Sequence, residues 1–103
     1  MTTTRQIAPS TVAYKQHQRC CNATMYVRGA KSQADADRHA AAAEDAAQKA
    51  AAAAADPRCR GESAANYAAE CRRLADYAAK SAAEWTEPRA KSTRLAWGRG
   101  EIA

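Results

Sequence analysis

Small residues recur along the middle of the chain at alternating steps of four and three positions. The first run consists of Ala36, Ala40, Ala43, Ala47, Ala50 and Ala54. The second consists of Ala64, Ala68, Cys71, Ala75, Ala78 and Ala82. This spacing keeps one stripe of an α-helix facing one neighbour, so it predicts helices over about 33–55 and 64–86. Because the side chains are so short, the two helix backbones can approach closely.

The boundaries of these two helices carry the usual signals. Ser32, followed three residues later by Asp35, approximates a capping box, and Ser63 can cap the next helix. Asp56-Pro57 ends the first of the two, because proline disfavours helical backbone in the residue before it. The short connection predicts an antiparallel helical hairpin.

A third stripe at the same spacing precedes the hairpin. It consists of Ala13, His17, Cys20, Thr24 and Val27, with Tyr14, Cys21 and Met25 beside it. The spacing predicts a helix over about 11–28, capped by Ser10 or Thr11 and ended by Gly29. Residues 11–14 and 23–27 are also rich in β-formers, so a short β-hairpin is the alternative.

A second stripe on the 64–86 helix is larger. Its members are Tyr67, Cys71, Leu74, Ala78, Ser81 and Trp85. A helix with two such stripes has two neighbours, so this one packs on the first helix or on another chain. The predicted fold class is therefore all-α, either a three-helix bundle or a dimeric helical bundle.

Composition limits how much this core can stabilise the fold. Alanine supplies 30 of the 103 residues, and phenylalanine is absent. A buried methyl group contributes only about 0.8 kcal/mol, so we expect a single small domain, 1–103, that depends on a partner or a second copy. The ends, 1–9 and 88–103, are predicted to be flexible, although the second could form a short helix.

Charge is unevenly distributed along the chain. Residues 1–31 carry five bases and no acid, residues 32–87 carry seven bases and ten acids, and residues 88–103 carry four bases and one acid. Basic ends can dock on the acidic middle or reach an anionic partner. Nucleic-acid binding is the alternative functional hypothesis, and its candidate residues are Arg89, Lys91, Arg94 and Arg99.

The chemistry-bearing residues lack a recognisable pattern. No Cys-x-x-Cys pair occurs among the four cysteines, Cys20, Cys21, Cys59 and Cys71. We therefore expect free thiols. Zinc binding together with His17 or His39, and a disulfide, are the less favoured alternatives. No phosphate-binding loop, nucleophile motif or carboxylate pair is present. We therefore expect no enzymatic activity, no cofactor and no metal.

The main hypothesis is a non-enzymatic interaction protein that binds another macromolecule, with a protein as the favoured partner and a homodimer as a further possibility, in the manner of small bacterial or phage inhibitors and adaptors. The candidate contact residues are the large apolar side chains Tyr67, Leu74, Trp85, Leu95 and Trp97. No apolar run is long enough to span a bilayer and no signal sequence opens the chain, so a cytoplasmic location without membrane contact is expected.

Overall fold

The computed structural model describes residues 8–59 and 63–100, and these residues form four helices without a strand. Their bounds are α1 Pro9–Arg28, α2 Gln33–Ala54, α3 Ser63–Ala83 and α4 Glu87–Gly98. The all-α prediction is confirmed, and the alternative β-hairpin in the first segment is wrong. Most of the arm predicted for 1–9 lies outside the described residues.

Contacts between elements show how the first three helices run. Tyr14 meets Tyr67, and Thr24 Oγ1 lies 3.3 Å from the Leu74 carbonyl oxygen, so α1 and α3 are parallel. The Gln33 side chain of α2 donates to the Ala82 carbonyl oxygen at 2.7 Å, so α2 and α3 are antiparallel. All three pairs pack against each other, which makes the predicted three-helix bundle within one chain.

The predicted small-residue stripes form the core. The buried members on α2 and α3 are Ala36, Ala43, Ala47, Ala50, Ala64, Cys71, Ala75, Ala78 and Ala82, joined by Ala46. On α1 the buried residues are Ala13, Cys20, Ala23, Thr24 and Val27. The largest fully buried side chains are those of Val27, Cys20 and Cys71, so the fully buried centre of the bundle contains no side chain larger than valine.

The four cysteines are free thiols, as expected. The buried Cys20 Sγ lies 3.2 Å from the Cys71 carbonyl oxygen and 3.7 Å from that of Ala43. Burial raises the pKa of Cys71 to about 12, so its thiol stays protonated at neutral pH. Both buried cysteines therefore act as small apolar residues with weak donors.

The helix ends differ in detail from the predictions. Neither Ser10 nor Thr11 caps α1, because the helix already begins at Pro9, whose missing N–H is not needed in a first turn. Ser32 caps α2 as predicted, accepting the Asp35 N–H at 3.1 Å. α3 begins at Ser63 itself, one residue before the predicted start.

Ion pairs lie on the outside of the bundle. Lys49 Nζ is 3.0 Å from Asp45, which confirms the pair expected from their spacing. Arg72 joins α3 to Glu44 of α2 with Nη1 2.9 Å from Oε2, and this contact lowers the pKa of Glu44 to about 2. Because both side chains are more than two-fifths exposed, we expect the pair to contribute less than about 1 kcal/mol.

Much of the C-terminal segment, for which the sequence left open a flexible end or a short helix, forms the helix α4. Residues from Glu87 to Gly98 are helical, with Pro88 in the first turn where it is tolerated. The helix packs on the end of α1, where the Trp97 ring lies over Gly29. Gly29 has a φ of −108°, which any residue can adopt, so glycine is required there by the close approach of the indole.

Replacing Gly29 by Ala should therefore displace Trp97 and lower the free energy of unfolding by about 1–3 kcal/mol through overpacking. A Cβ at position 29 would lie 2.4 Å from a ring carbon of Trp97, too close for any contact. Thermal unfolding and tryptophan emission would measure the effect.

Gly98→Ala is the matched control, because a Cβ there meets nothing within 4 Å. We expect its stability to be unchanged or slightly raised, since alanine favours helix over glycine. Equal melting temperatures for the two variants would contradict the assigned role of Gly29.

Candidate functional site

Three of the predicted contact residues lie along the line where α3 packs against α1. The Tyr67 ring centroid is 5.4 Å from those of Tyr14 and His17. Leu74 is partly buried against the core. The indole N–H of Trp85 donates to the Ala30 carbonyl oxygen at 2.9 Å. The neighbour of the larger α3 stripe is thus α1 of the same chain.

The other two predicted contact residues lie on α4. Trp97 is half-buried, with its ring 6.2 Å from that of Tyr26, and its buried Nε1 has no hydrogen-bond partner among the described residues. Leu95 is 53% exposed. The five predicted residues therefore divide between the α1–α3 junction and α4.

Arg94 and Arg89, two of the basic residues assigned to nucleic acid, donate to backbone carbonyl oxygens of the chain. Arg94 Nη1 donates to the carbonyl oxygens of Gly29 and Ala30 at 3.0 and 2.9 Å, and its Nη2 pairs with Glu87 at 2.8 Å. Arg89 donates to the carbonyl oxygen of Glu84 at 3.1 Å. Lys91 and Arg99 lie at exposed positions. The α4 end therefore presents fewer uncommitted guanidinium donors than its composition implies.

A partly exposed surface with few charges runs along α1 and α3, and only two of its members, Tyr67 and Leu74, were predicted from the sequence as contact residues. We call it the α1–α3 face, and its members are Tyr14, Gln18, Cys21 and Met25 of α1 with Tyr67, Glu70, Leu74 and Tyr77 of α3. Positions three, four and seven apart share one side of a helix, so each set forms a continuous stripe. The contact between Tyr14 and Tyr67 places the two stripes side by side.

Apolar exposure is concentrated on this face. Tyr14, Met25 and Tyr77 are 44%, 43% and 46% exposed, although each is large and partly apolar. Glu70 is the only charged member, and it is ion-paired with Arg73. The 4-3-4 spacing from Tyr14 to Met25 was visible in the sequence, but it did not reveal which flank of α1 remains uncovered.

A cavity of about 250 Å³ lies beyond Tyr77, where α1, α3 and α4 meet. Aromatic side chains of Tyr77 and Trp85 form part of its wall. Its polar lining comes from Arg28, Ser81, Glu84, Thr86, Arg89, Ser92 and Thr93. The cavity thus combines two guanidinium groups, one carboxylate and several hydroxyls at one end of the α1–α3 face.

The thiols and imidazoles do not assemble into a reactive centre. Cys21 Sγ lies 3.8 Å from His17 Nε2, but partial burial raises the pKa of this thiol, which is opposite to the activation that a nucleophile needs. His39 instead pairs with Asp35 at 3.6 Å, as its spacing predicted. Within residues 8–59 and 63–100, no group of three or more histidine, cysteine or acidic side chains is placed to hold a metal ion.

Comparisons with family models, curated proteins and solved structures found no match to the chain. Among the described helices, none is long and apolar enough to cross a membrane.

Proposed function

We propose that this protein is a non-enzymatic interaction module that binds another protein through the α1–α3 face. The observation that carries the proposal is the position of the exposed apolar side chains. Of five large hydrophobic residues exposed within the described part of the chain, three, Tyr14, Met25 and Tyr77, lie on this face. Tyrosine and methionine are enriched in protein interfaces, where charged residues are depleted.

The geometry of the face favours a helical partner. Two parallel helices that pack side by side leave a groove between them, and an amphipathic helix can place its apolar side in such a groove. A partner helix packed on α1 and α3 would form a four-helix bundle together with α1, α2 and α3 of this chain. The face has few charges, whereas α2 carries the ion-paired Glu44, Asp45 and Lys49 on its outer side. An inhibitor or adaptor acts by binding its partner, so a binding surface such as the α1–α3 face would be sufficient for either role.

The experiment compares crosslinking at two kinds of exposed position. A photoreactive amino acid placed at Met25 or Tyr77 should yield a protein adduct in the producing cell, whereas the same group at the exposed Gln48 of α2 should not. The captured partner should then bind the purified chain directly. Met25→Lys and Tyr77→Lys should each weaken that binding at least about tenfold, as expected for interface anchors, while Gln48→Lys should leave it unchanged.

Other outcomes would distinguish the competing hypotheses. An adduct between two copies of the chain would identify the partner as a second copy and support the dimeric bundle. Nuclease-sensitive adducts, or tight and salt-sensitive binding of DNA or RNA, would favour the basic-end hypothesis instead. Equal crosslinking at all three positions would refute the α1–α3 face as the binding surface.

A further inference from the structure

The cavity between α1, α3 and α4 contains a guanidinium group with no assigned role. Arg28 is half-buried at the end of α1 and lines the cavity. Among the described residues its side chain forms no hydrogen bond or ion pair, in contrast to that of Arg94, which binds two carbonyl oxygens and a carboxylate. A partly desolvated guanidinium favours an anionic partner, because burial removes part of its hydration.

Further donors point toward the same space. Arg89 uses Nη1 for the Glu84 carbonyl oxygen, and a guanidinium has five N–H groups in all. The hydroxyls of Ser81 and Ser92 form no hydrogen bond within the described residues, and that of Thr86 makes no helix-cap bond. The cavity thus offers several donors that the fold itself does not use.

We propose that this cavity binds a small oxyanion, a phosphate or carboxylate group, held between the guanidinium groups of Arg28 and Arg89. Two guanidinium groups outnumber the single carboxylate of Glu84, so the lining has a net positive charge. The volume, about 250 Å³, is below the roughly 300–1,000 Å³ of pockets for drug-sized ligands. The cavity therefore fits an inorganic anion, a small metabolite or one anionic side chain, and Tyr77 and Trp85 would contact its carbon atoms.

Titration of the full chain with inorganic phosphate, followed by NMR at constant ionic strength, tests the proposal. Saturable shifts are expected at the backbone amides of Ser81 and Ser92 and at the side-chain N–H groups of Arg28 and Arg89. A parallel titration with acetate distinguishes a carboxylate site from one that takes phosphate. Absence of saturation with both anions would overturn the proposal without any variant.

Charge-neutral variants then assign the binding groups. Arg28→Gln and Arg89→Gln should each weaken anion binding about tenfold, the expected loss of one charge-assisted hydrogen-bonded contact. Lys15→Gln removes the same charge from an exposed position of α1, about 20 Å from Arg28 by helix rise, and should leave affinity unchanged. Equal weakening by all three would mean that only net charge matters and would refute the site. The titration needs no protein partner, so its result is independent of the α1–α3 face.

Discussion

Leucine in place of Ala43 should lower the free energy of unfolding by about 1–3 kcal/mol, because the added carbons have no space between the helices. Ala43 is fully buried in α2, and its carbonyl oxygen lies 3.7 Å from Cys20 Sγ of α1. A larger side chain must separate α2 from its neighbours or shift to a strained rotamer. Chemical denaturation of the purified protein would measure the difference.

The matched control is Ala41→Leu, which makes the same change at an exposed position of the same helix. Surface substitutions of this kind usually alter stability by no more than about 0.5 kcal/mol. An equal denaturation midpoint for Ala43→Leu and the unchanged protein would show that the helices are not closely packed there.

Alanine in place of Trp85 should cost about 3 kcal/mol, the lower end of the range for large aromatic truncations, because the indole is only half-buried. The ring packs on the alanine core, and its N–H bonds to Ala30 between α1 and α2. Its loss would remove the largest side chain that joins the end of α3 to the other two helices. Thermal and chemical unfolding would both report the effect.

Trp85→Phe separates the two contributions of this residue. It keeps an aromatic ring and removes the N–H, so only about 1 kcal/mol should be lost with the hydrogen bond. Tyr77→Ala, at an exposed position two helical turns before Trp85, should have a smaller effect on folding than Trp85→Ala. If Trp85→Ala unfolds at the same denaturant concentration as the unchanged protein, the contact does not stabilise the bundle.

The sequence predicted the three main helices because their signals are local. The stripe from Ala36 to Ala54 repeats at helical spacing, and Ser32 shows where α2 begins. The same spacing outweighed the β-forming residues of the first segment, where α1 is found. Helix ends were less predictable, as Pro9 and Ser63 show, because several residues near each boundary can begin a helix.

The candidate surfaces could not be predicted because they depend on contacts between distant segments. Trp97 and Gly29 are 68 positions apart in the sequence. Only the packing of α4 against α1 explains why a residue without a Cβ is needed at position 29. The parallel arrangement of α1 and α3 likewise determines that Tyr14 and Tyr67 share a face. The sequence identified Tyr67, Leu74 and Trp85 as members of one stripe, but it left open whether α1 or another chain contacts them.

The alanine core also has a thermodynamic consequence. Unfolding exposes little apolar surface per residue when the buried side chains are mainly methyl groups, whereas it exposes the polar backbone of four helices. Exposure of apolar surface raises the heat capacity, whereas exposure of polar surface lowers it. The heat-capacity increase on unfolding should therefore fall below the value of about 12–15 cal/mol/K per residue that is usual for globular proteins. The free energy of unfolding should accordingly change little with temperature, and cold denaturation should occur only at very low temperature.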